Sequence, residues 1–474
     1  MIEYRKTKLL LAACAAAMTF CCSSLLSAQK AALPEAPATR LLASIGQAPM
    51  PAAQPAAPQQ SSASVPPPGT RLTLAEAEHL AIQNNPNISV ARLLELAQAQ
   101  VTREVRSAEM PLATTDLTAV GAHQNTRLTA GLLHNPTVYD RAAGGLNVSQ
   151  LITDFGRTHN LVLSAQSTAK AQLENERASE EDITLTVDQA FYQVLTAKAV
   201  LRVAQETVAQ RQATVDEVSA LTASKLRSDL DLSFANVQLS QAKLMLLDAQ
   251  NQVQDTVAAF NTVLGFEKNQ QYNLVDQTPA NPEPPPADAE ALMPTAFGQR
   301  PDLAALNDNY IAARQYSTAE RDLWMPTISA MAAVGGTPVR ADQIQSSWYG
   351  AAGGNISIPV FNGFLFNARE REAKLRANAA QEQVRNLRDV IARDVRIAVL
   401  NAQAAFQRIG VTNEMLNESN LALDLSQARY KIGLSDIVAL TQAQLAQTQA
   451  LIAYTNARYA YQTSLSVLRY QLGQ

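Results

Sequence analysis

The chain is poor in several things that other proteins rely on. It has 3 cysteines among 474 residues, and all of them (Cys14, Cys21 and Cys22) lie close to the start. Everything downstream therefore has no thiol, no disulfide and no cysteine-ligated metal. Aromatics make up only 5% of the sequence, while Ala, Gln and Leu recur in long uninterrupted runs, which favours long helices over a mixed core. The formal net charge is -4 and no basic face is apparent, so nucleic acid is not expected as a partner. The histidines His79, His123, His134 and His159 are scattered, with no i, i+4 pair and no cysteine beside them. Gly144-Gly145 and Gly353-Gly354 read as strand starts near loops, and no Gly-rich segment carries a phosphate-binding Lys. No catalytic residue, cofactor or metal is expected, and the chain reads as a non-enzyme.

What is present is organised as a duplication. The block Gly363 to Gly473 repeats the block Gly156 to Gly265: both end in Leu-Gly, and 472 minus 264 gives an offset of 208. Met110-Pro111 pairs instead with Met325-Pro326, and 325 minus 110 gives 215. The first copy thus carries extra residues between its Met-Pro and Val148, the mark of a loop insertion.

Residues 1–28 read as a signal peptide, with a basic start (Arg5, Lys6, Lys8), an apolar run from Leu9 and cleavage after Ala28. Leu11-Ala12-Ala13-Cys14 also resembles a lipoprotein box, which leaves lipidation of Cys14 open. Residues 29–69 are rich in Pro, Ala and Gln and are expected to be a disordered tether. The first structural repeat follows over 70–265, a linker over 266–287 and the second repeat over 288–474. Pro279, Pro282 and Pro284-Pro285-Pro286 forbid helix in the linker and make it extended.

Within the first repeat, Thr73 and Glu76 predict a capped helix to Asn84. A second helix from Asn87 to Glu109 would place Ile88, Ala91, Leu94 and Ala97 or Gln98 on its inner stripe. After Met110-Pro111 the period becomes two, giving β-hairpins over 112–152 and 327–361 with loops near 121–145 and 336–352. One face of these strands is free of charge and their length suits a tilted bilayer crossing. Half-buried soluble hairpins would show a similar alternation. Four strands cannot close a barrel, so a membrane reading requires several chains to pool them.

From Gly156 to Leu221 there is no proline and no internal glycine, which predicts a rod of roughly 100 Å at 1.5 Å per residue. It reverses at 223–228 and returns, making coiled-coil hairpins over 156–265 and, in the second repeat, 363–473. Leu451, Tyr454, Arg458, Tyr461, Leu465, Leu468 and Leu472 set a 3,4 seam on the last helix.

Arg300-Pro301-Asp302-Leu303, Pro359-Val360-Phe361-Asn362-Gly363 and Tyr430-Lys431-Ile432-Gly433-Leu434-Ser435-Asp436 resemble signatures of the TolC-like outer-membrane efflux protein family, and the resemblance spans about 70 to 473. It implies a mainly α fold with a small β part. Long antiparallel coiled-coil hairpins would form a periplasmic α-barrel, and two β-hairpins per chain would contribute to a trimeric twelve-stranded transmembrane barrel. It implies a homotrimer in outer-membrane lipid of a Gram-negative bacterium, with a large periplasmic part, a periplasmic adaptor and an inner-membrane pump as partners. The expected function is a passive exit duct for substrates the pump expels. A type I protein secretion duct is the alternative, and a soluble periplasmic coiled-coil adaptor is the rival of a different class.

The resemblance also places sites. Gly433, Leu434 and Ser435 match the adaptor-docking turn, with Leu226 in the first copy, where Lys225 stands in place of glycine. Asp231 and Tyr430 match a periplasmic gate in which the phenol donates to the carboxylate. Ala439 and Gln442 stand where the type member has two carboxylates, so a cation-binding ring is not expected.

Overall fold

The computed structural model describes residues 69, 71–121, 141–268, 270–279, 281–339 and 346–474, all within the unit Ala63–Gln474. The expectations for 1–28 and, apart from Gly69, for 29–69 lie outside the described residues, as do His123 and His134.

The elements follow the order β1 (Arg71–Leu72), α1 (Leu74–Asn84), α2 (Pro86–Arg106), β2 (Leu112–Val120), β3 (Arg141–Thr153), α3 (Arg157–Ala223) and α4 (Asp229–Val263). After β4 (Asn273–Leu274) the plan recurs as α5 (Met293–Gln299), α6 (Pro301–Arg321), β5 (Thr327–Val339), β6 (Trp348–Ser357), α7 (Leu365–Lys431) and α8 (Ile437–Leu472). Thr73 and Glu76 form the expected capping box. Asn85 caps α2 through Asn87 N at 2.9 Å, with Pro86 in the first turn, where its missing N–H costs nothing.

The helices lie side by side in a single layer. In the half nearer the strands the order of packing is α2, α3, α6, α7; in the half nearer the reversals it is α4, α3, α8, α7. The rods α3 and α7 run through both halves. Between the halves sits the main core, where Phe191 and Phe260 meet edge to face at 6.2 Å and Phe260 meets Tyr272 at 6.2 Å, with Leu72, Leu274 and Tyr459 around them. The linker is tied into this region. β1 pairs in parallel with β4, Tyr459 donates to Asp276 at 2.7 Å, and the Tyr461 hydroxyl donates to the Glu283 carbonyl.

β2, β3, β5 and β6 form one open antiparallel sheet in that order. Asp116 and Arg141, the charged residues of these strands, fall on the same face by register, opposite Gly145 and Val120. The other face carries Ala113, Leu117, Val148, Ala332, Val334 and Ile356 and no charge. At the loop ends β3, β5 and β6 run further than expected, so that Gly144-Gly145, Gly335-Gly336 and Gly353-Gly354 lie inside them. At its other end β6 stops at Ser357, short of the expected 361, with Pro359 following, which has no N–H for a ladder. At two of these glycines, Gly145 and Gly335, the place of a side chain is taken by Tyr349. A Cβ on Gly335 would lie 2.5 Å from both Tyr349 and the Gly144 carbonyl, and one on Gly145 would overlap the Tyr349 hydroxyl.

Two stripe expectations are corrected. Ile88 and Ala91 are buried on α2, but Leu94 is 54% exposed, together with Val90, Leu93 and Val101. That helix has apolar residues on two faces, and the sequence does not say which one the chain itself covers. On α8, Tyr461, Leu468 and Leu472 are buried as expected, but Tyr459, Gln462 and Ser466 are too, because α8 packs on α3 as well as α7.

Candidate functional site

At one end of the layer both coiled coils reverse with the same local chemistry. Lys225 has φ 61° and Gly433 has φ 81°, so both copies turn through the left-handed region. Each turn is held by the same pair of backbone bonds: Lys225 N to Thr222 O at 2.9 Å and Leu226 N to Leu221 O at 2.9 Å in the first, Gly433 N to Tyr430 O at 3.1 Å and Leu434 N to Arg429 O at 2.9 Å in the second. This is the glycine-type helix stop, made in the first copy by a lysine at a steric cost of about 1 kcal/mol. The returning helices are capped by Ser228 and Asp436; the Asp436 carboxylate accepts from Ala439 N at 2.8 Å. Leu226 is 70% exposed and Leu434 68%, with Leu230 and Ile432 exposed beside them.

Behind the turns lies a cluster of Val215, Val218, Ala235, Leu239, Leu423, Tyr430, Ile437 and Leu440. Tyr430 is only 2% exposed, and its hydroxyl has no hydrogen-bond partner among the described residues. Burial pushes its phenol pKa up, with Arg227 opposing and Asp231 adding to the rise. The bond expected between Tyr430 and Asp231 is not formed within one chain. The Asp231 carboxylate instead accepts from Ser228 N at 3.3 Å, closing a reciprocal cap, because three residues is the spacing at which an acidic side chain reaches back to its own N-cap.

Tyr430 has a different neighbour, which the sequence did not single out. The Arg227 guanidinium lies 4.3 Å from the ring centroid, and its Nη2 donates to the Tyr430 carbonyl at 3.0 Å. Arg227 therefore ties the first turn to the end of α7. The only signal in sequence was a cation in the turn opposite an aromatic in the other copy.

Elsewhere, Arg300 forks onto Asp302 at 2.6 and 3.0 Å and reaches Gln471 at 2.6 Å. His79 is exposed and lies 3.2 Å from the Gln83 amide. Among the described residues no cluster of His, Cys, Asp and Glu could hold a metal, and no helix is long and apolar enough to cross a membrane.

A single layer of paired rods on an open sheet with one charge-free face is the architecture of an outer-membrane efflux component. The model of the outer membrane efflux protein family matches residues 78–266 and again 292–474, and the chain belongs to that family. Its place is accordingly the outer membrane, with a large periplasmic part. Among its relatives, the pyoverdine export outer membrane protein OpmQ of Pseudomonas putida is 26% identical over 59% of this chain and 60% of its own length. The outer membrane protein TolC of Salmonella enteritidis is 22% identical over 64% of this chain and 63% of its own. The matched region thus spans somewhat under two thirds of these two relatives. The solved outer membrane protein VceC of Vibrio cholerae shares the fold, with a TM-score of 0.72 and 18% identity over 84% of this chain and 96% of that one.

Proposed function

We propose that three copies of this chain close into one outer-membrane duct that passively conducts substrates expelled by an inner-membrane pump through a periplasmic adaptor. The observation that carries this is the pair of unfinished edges. β2 and β6 each have one side unpaired within the chain, an arrangement lipid does not tolerate. The helical layer ends in α2 and α4 on one side and α7 on the other, and these carry exposed apolar residues: Val90, Leu93 and Leu94; Leu230, Phe234, Val237 and Leu244; Leu400, Val411 and Met415. Two different edges that complete each other head to tail generate a ring.

In this reading Gly433, Leu434, Ser435 and Leu226 form the adaptor-docking tips, and the shared left-handed turn supports equivalent docking by the two copies. Tyr430 and Asp231 belong to the periplasmic gate, held by contacts weak enough for a docking partner to break, with Arg227 as the in-chain clasp on Tyr430. Cross-linking in native outer membranes should trap a heat-labile trimer. Gly433→Trp should abolish export while leaving that trimer intact, because an indole at φ 81° both strains the turn and blocks approach to it. Monomer alone in native membranes, or full export by Gly433→Trp, would reject the assembly or the docking role respectively. Co-secretion of a polypeptide substrate would favour the type I secretion reading.

A further inference from the structure

The seam between the two coiled coils contains a buried cation with no acid beside it. Arg211, on α3, is 4% exposed and Gln444, on α8, 2%. The guanidinium donates to Gln444 Oε1, and Gln444 Nε2 donates to Thr214 Oγ1 at 3.1 Å. Thr448 closes the layer, its hydroxyl donating to the Gln444 carbonyl at 3.0 Å. None of the ion pairs of the described residues includes Arg211. The positions are seam positions: Ala204, Thr207, Arg211, Val215 and Val218 are the buried row of α3, and Ile437, Leu440, Gln444 and Thr448 that of α8. A polar layer thus interrupts an apolar row, with Ala204 on one side and Val215 and Val218 on the other. Immediately towards the tips lies a cavity of about 160 Å³ lined by Thr214, Glu217, Gln427, Tyr430 and Gln444 among others, whose polar lining suits water.

A buried arginine without a carboxylate is a poor source of stability, since desolvation works against it and a pair of apolar side chains of similar volume packs at least as well. What such a layer does supply is register, and a seam that can part: when it opens, water reaches Arg211, Gln444 and Thr214 and restores their hydration, whereas an apolar seam gains nothing from water. We propose that the Arg211–Gln444–Thr214 layer is the joint at which the first coiled coil parts from the last helix when the tips open. It lies 12 residues before the end of α3, roughly 18 Å from the turn. The inference rests on the duct reading above and names the moving joint within it.

Two variants of the full-length protein test it. In Arg211→Met with Gln444→Leu the layer becomes apolar, and Thr214 keeps a partner because its hydroxyl also donates to the Gln210 carbonyl at 3.1 Å. In Gln444→Glu, nearly isosteric, Arg211 gains a carboxylate. Both should lock the joint: amide hydrogen exchange over 212–223 and 437–443 slows several-fold, and single-channel conductance in planar bilayers at least halves. Slower exchange with unchanged conductance would make the layer a packing feature and overturn the proposal, as would unchanged or faster exchange in Gln444→Glu. If the unmodified protein forms no pore, the duct reading fails, and the exchange of the two variants still decides whether this layer governs parting of the seam.

Discussion

Arg300 shows how a sequence signature can be mechanical rather than functional. Its side chain is nearly buried, bonds Asp302 with two nitrogens and Gln471 with the third, and so joins the elbow between α5 and α6 to the last turn of α8. Gly473 lies against the same elbow: at φ 74°, a Cβ on it would stand 2.8 Å from Arg300 N. Gly265 does the same against Asn84, where a Cβ would stand 2.6 Å from the carbonyl oxygen. Both elbows therefore need glycine for close approach as well as for conformation. Arg300→Ala removes the cation from Asp302 and the donor from Gln471 and should cost about 2 kcal/mol, below the roughly 3 to 5 kcal/mol of a fully buried broken pair because Asp302 is partly solvated and keeps the Leu303 amide as a donor. Chemical denaturation of the solubilised protein checks the value. At Lys225 the sign reverses. Glycine fits its φ of 61° without strain, so Lys225→Gly should stabilise the first turn by about 0.5 to 1 kcal/mol, read as slower exchange of the Leu226 amide.

The elements were unevenly legible. The rods α3 and α7 could be read almost to the residue because 67 residues with no proline, and no glycine except Gly410 in α7, leave helix as the only regular state, and a Gly, Ser or Asp marks each stop. The loop ends of the strands could not, since the glycines there signal a loop, and only the structure shows Tyr349 lying over two of them, Gly145 and Gly335. β1 and β4 are 2 residues each and have no period to detect. The short helix α1 carries a feature that only packing reveals. Glu78, half-buried against α3, has its pKa pushed up to about 7, first by burial, then by a hydrogen bond to Asp188 and its charge, with Arg469 opposing. Glu181, in the same polar pocket with Thr184 and Tyr470, is likewise pushed up to about 7, first by burial. A carboxyl raised in the folded state favours folding below its ordinary value of 4.5 and loses that advantage as pH rises through about 7. The packing of α1 should therefore be tighter at pH 5.5 than at pH 8, with solvent screening keeping the effect modest. Exchange over 74–84, corrected for the intrinsic rate, measures it, and Glu78→Gln should remove much of the difference; equal protection at both pH values would dissociate the shift from the docking of this helix.

At the scale of the whole molecule, what the sequence contained but could not orient is the outward apolar surface. Leu94, read as an inner residue, belongs instead to a row with Val90, Leu93 and Val101 on an edge helix, and Leu230, Phe234, Val237 and Leu244 repeat the pattern on α4. The two residues proposed for the gate pair differently within one chain from what the resemblance implies. Tyr430 is where the family resemblance placed it, but its in-chain partner is Arg227, and Asp231 spends its carboxylate on its own helix cap. An apolar row costs little while it is covered and much when it faces water, at about 25 cal/mol per Å². If the edges of neighbouring copies cover each other, charge placed in one row should break the assembly without touching the fold of a single chain. Val237 and Leu244 are suited to this because both are more than half exposed within one chain. Val237→Glu with Leu244→Glu should leave the helical content by circular dichroism unchanged and convert the cross-linked trimer to monomer. Ala substitutions at the same positions, which remove area without adding charge, should only lower the temperature at which the trimer dissociates. A charged variant that still runs as a full-strength trimer would mean that this face of α4 looks into solvent, and that the ring closes through another surface.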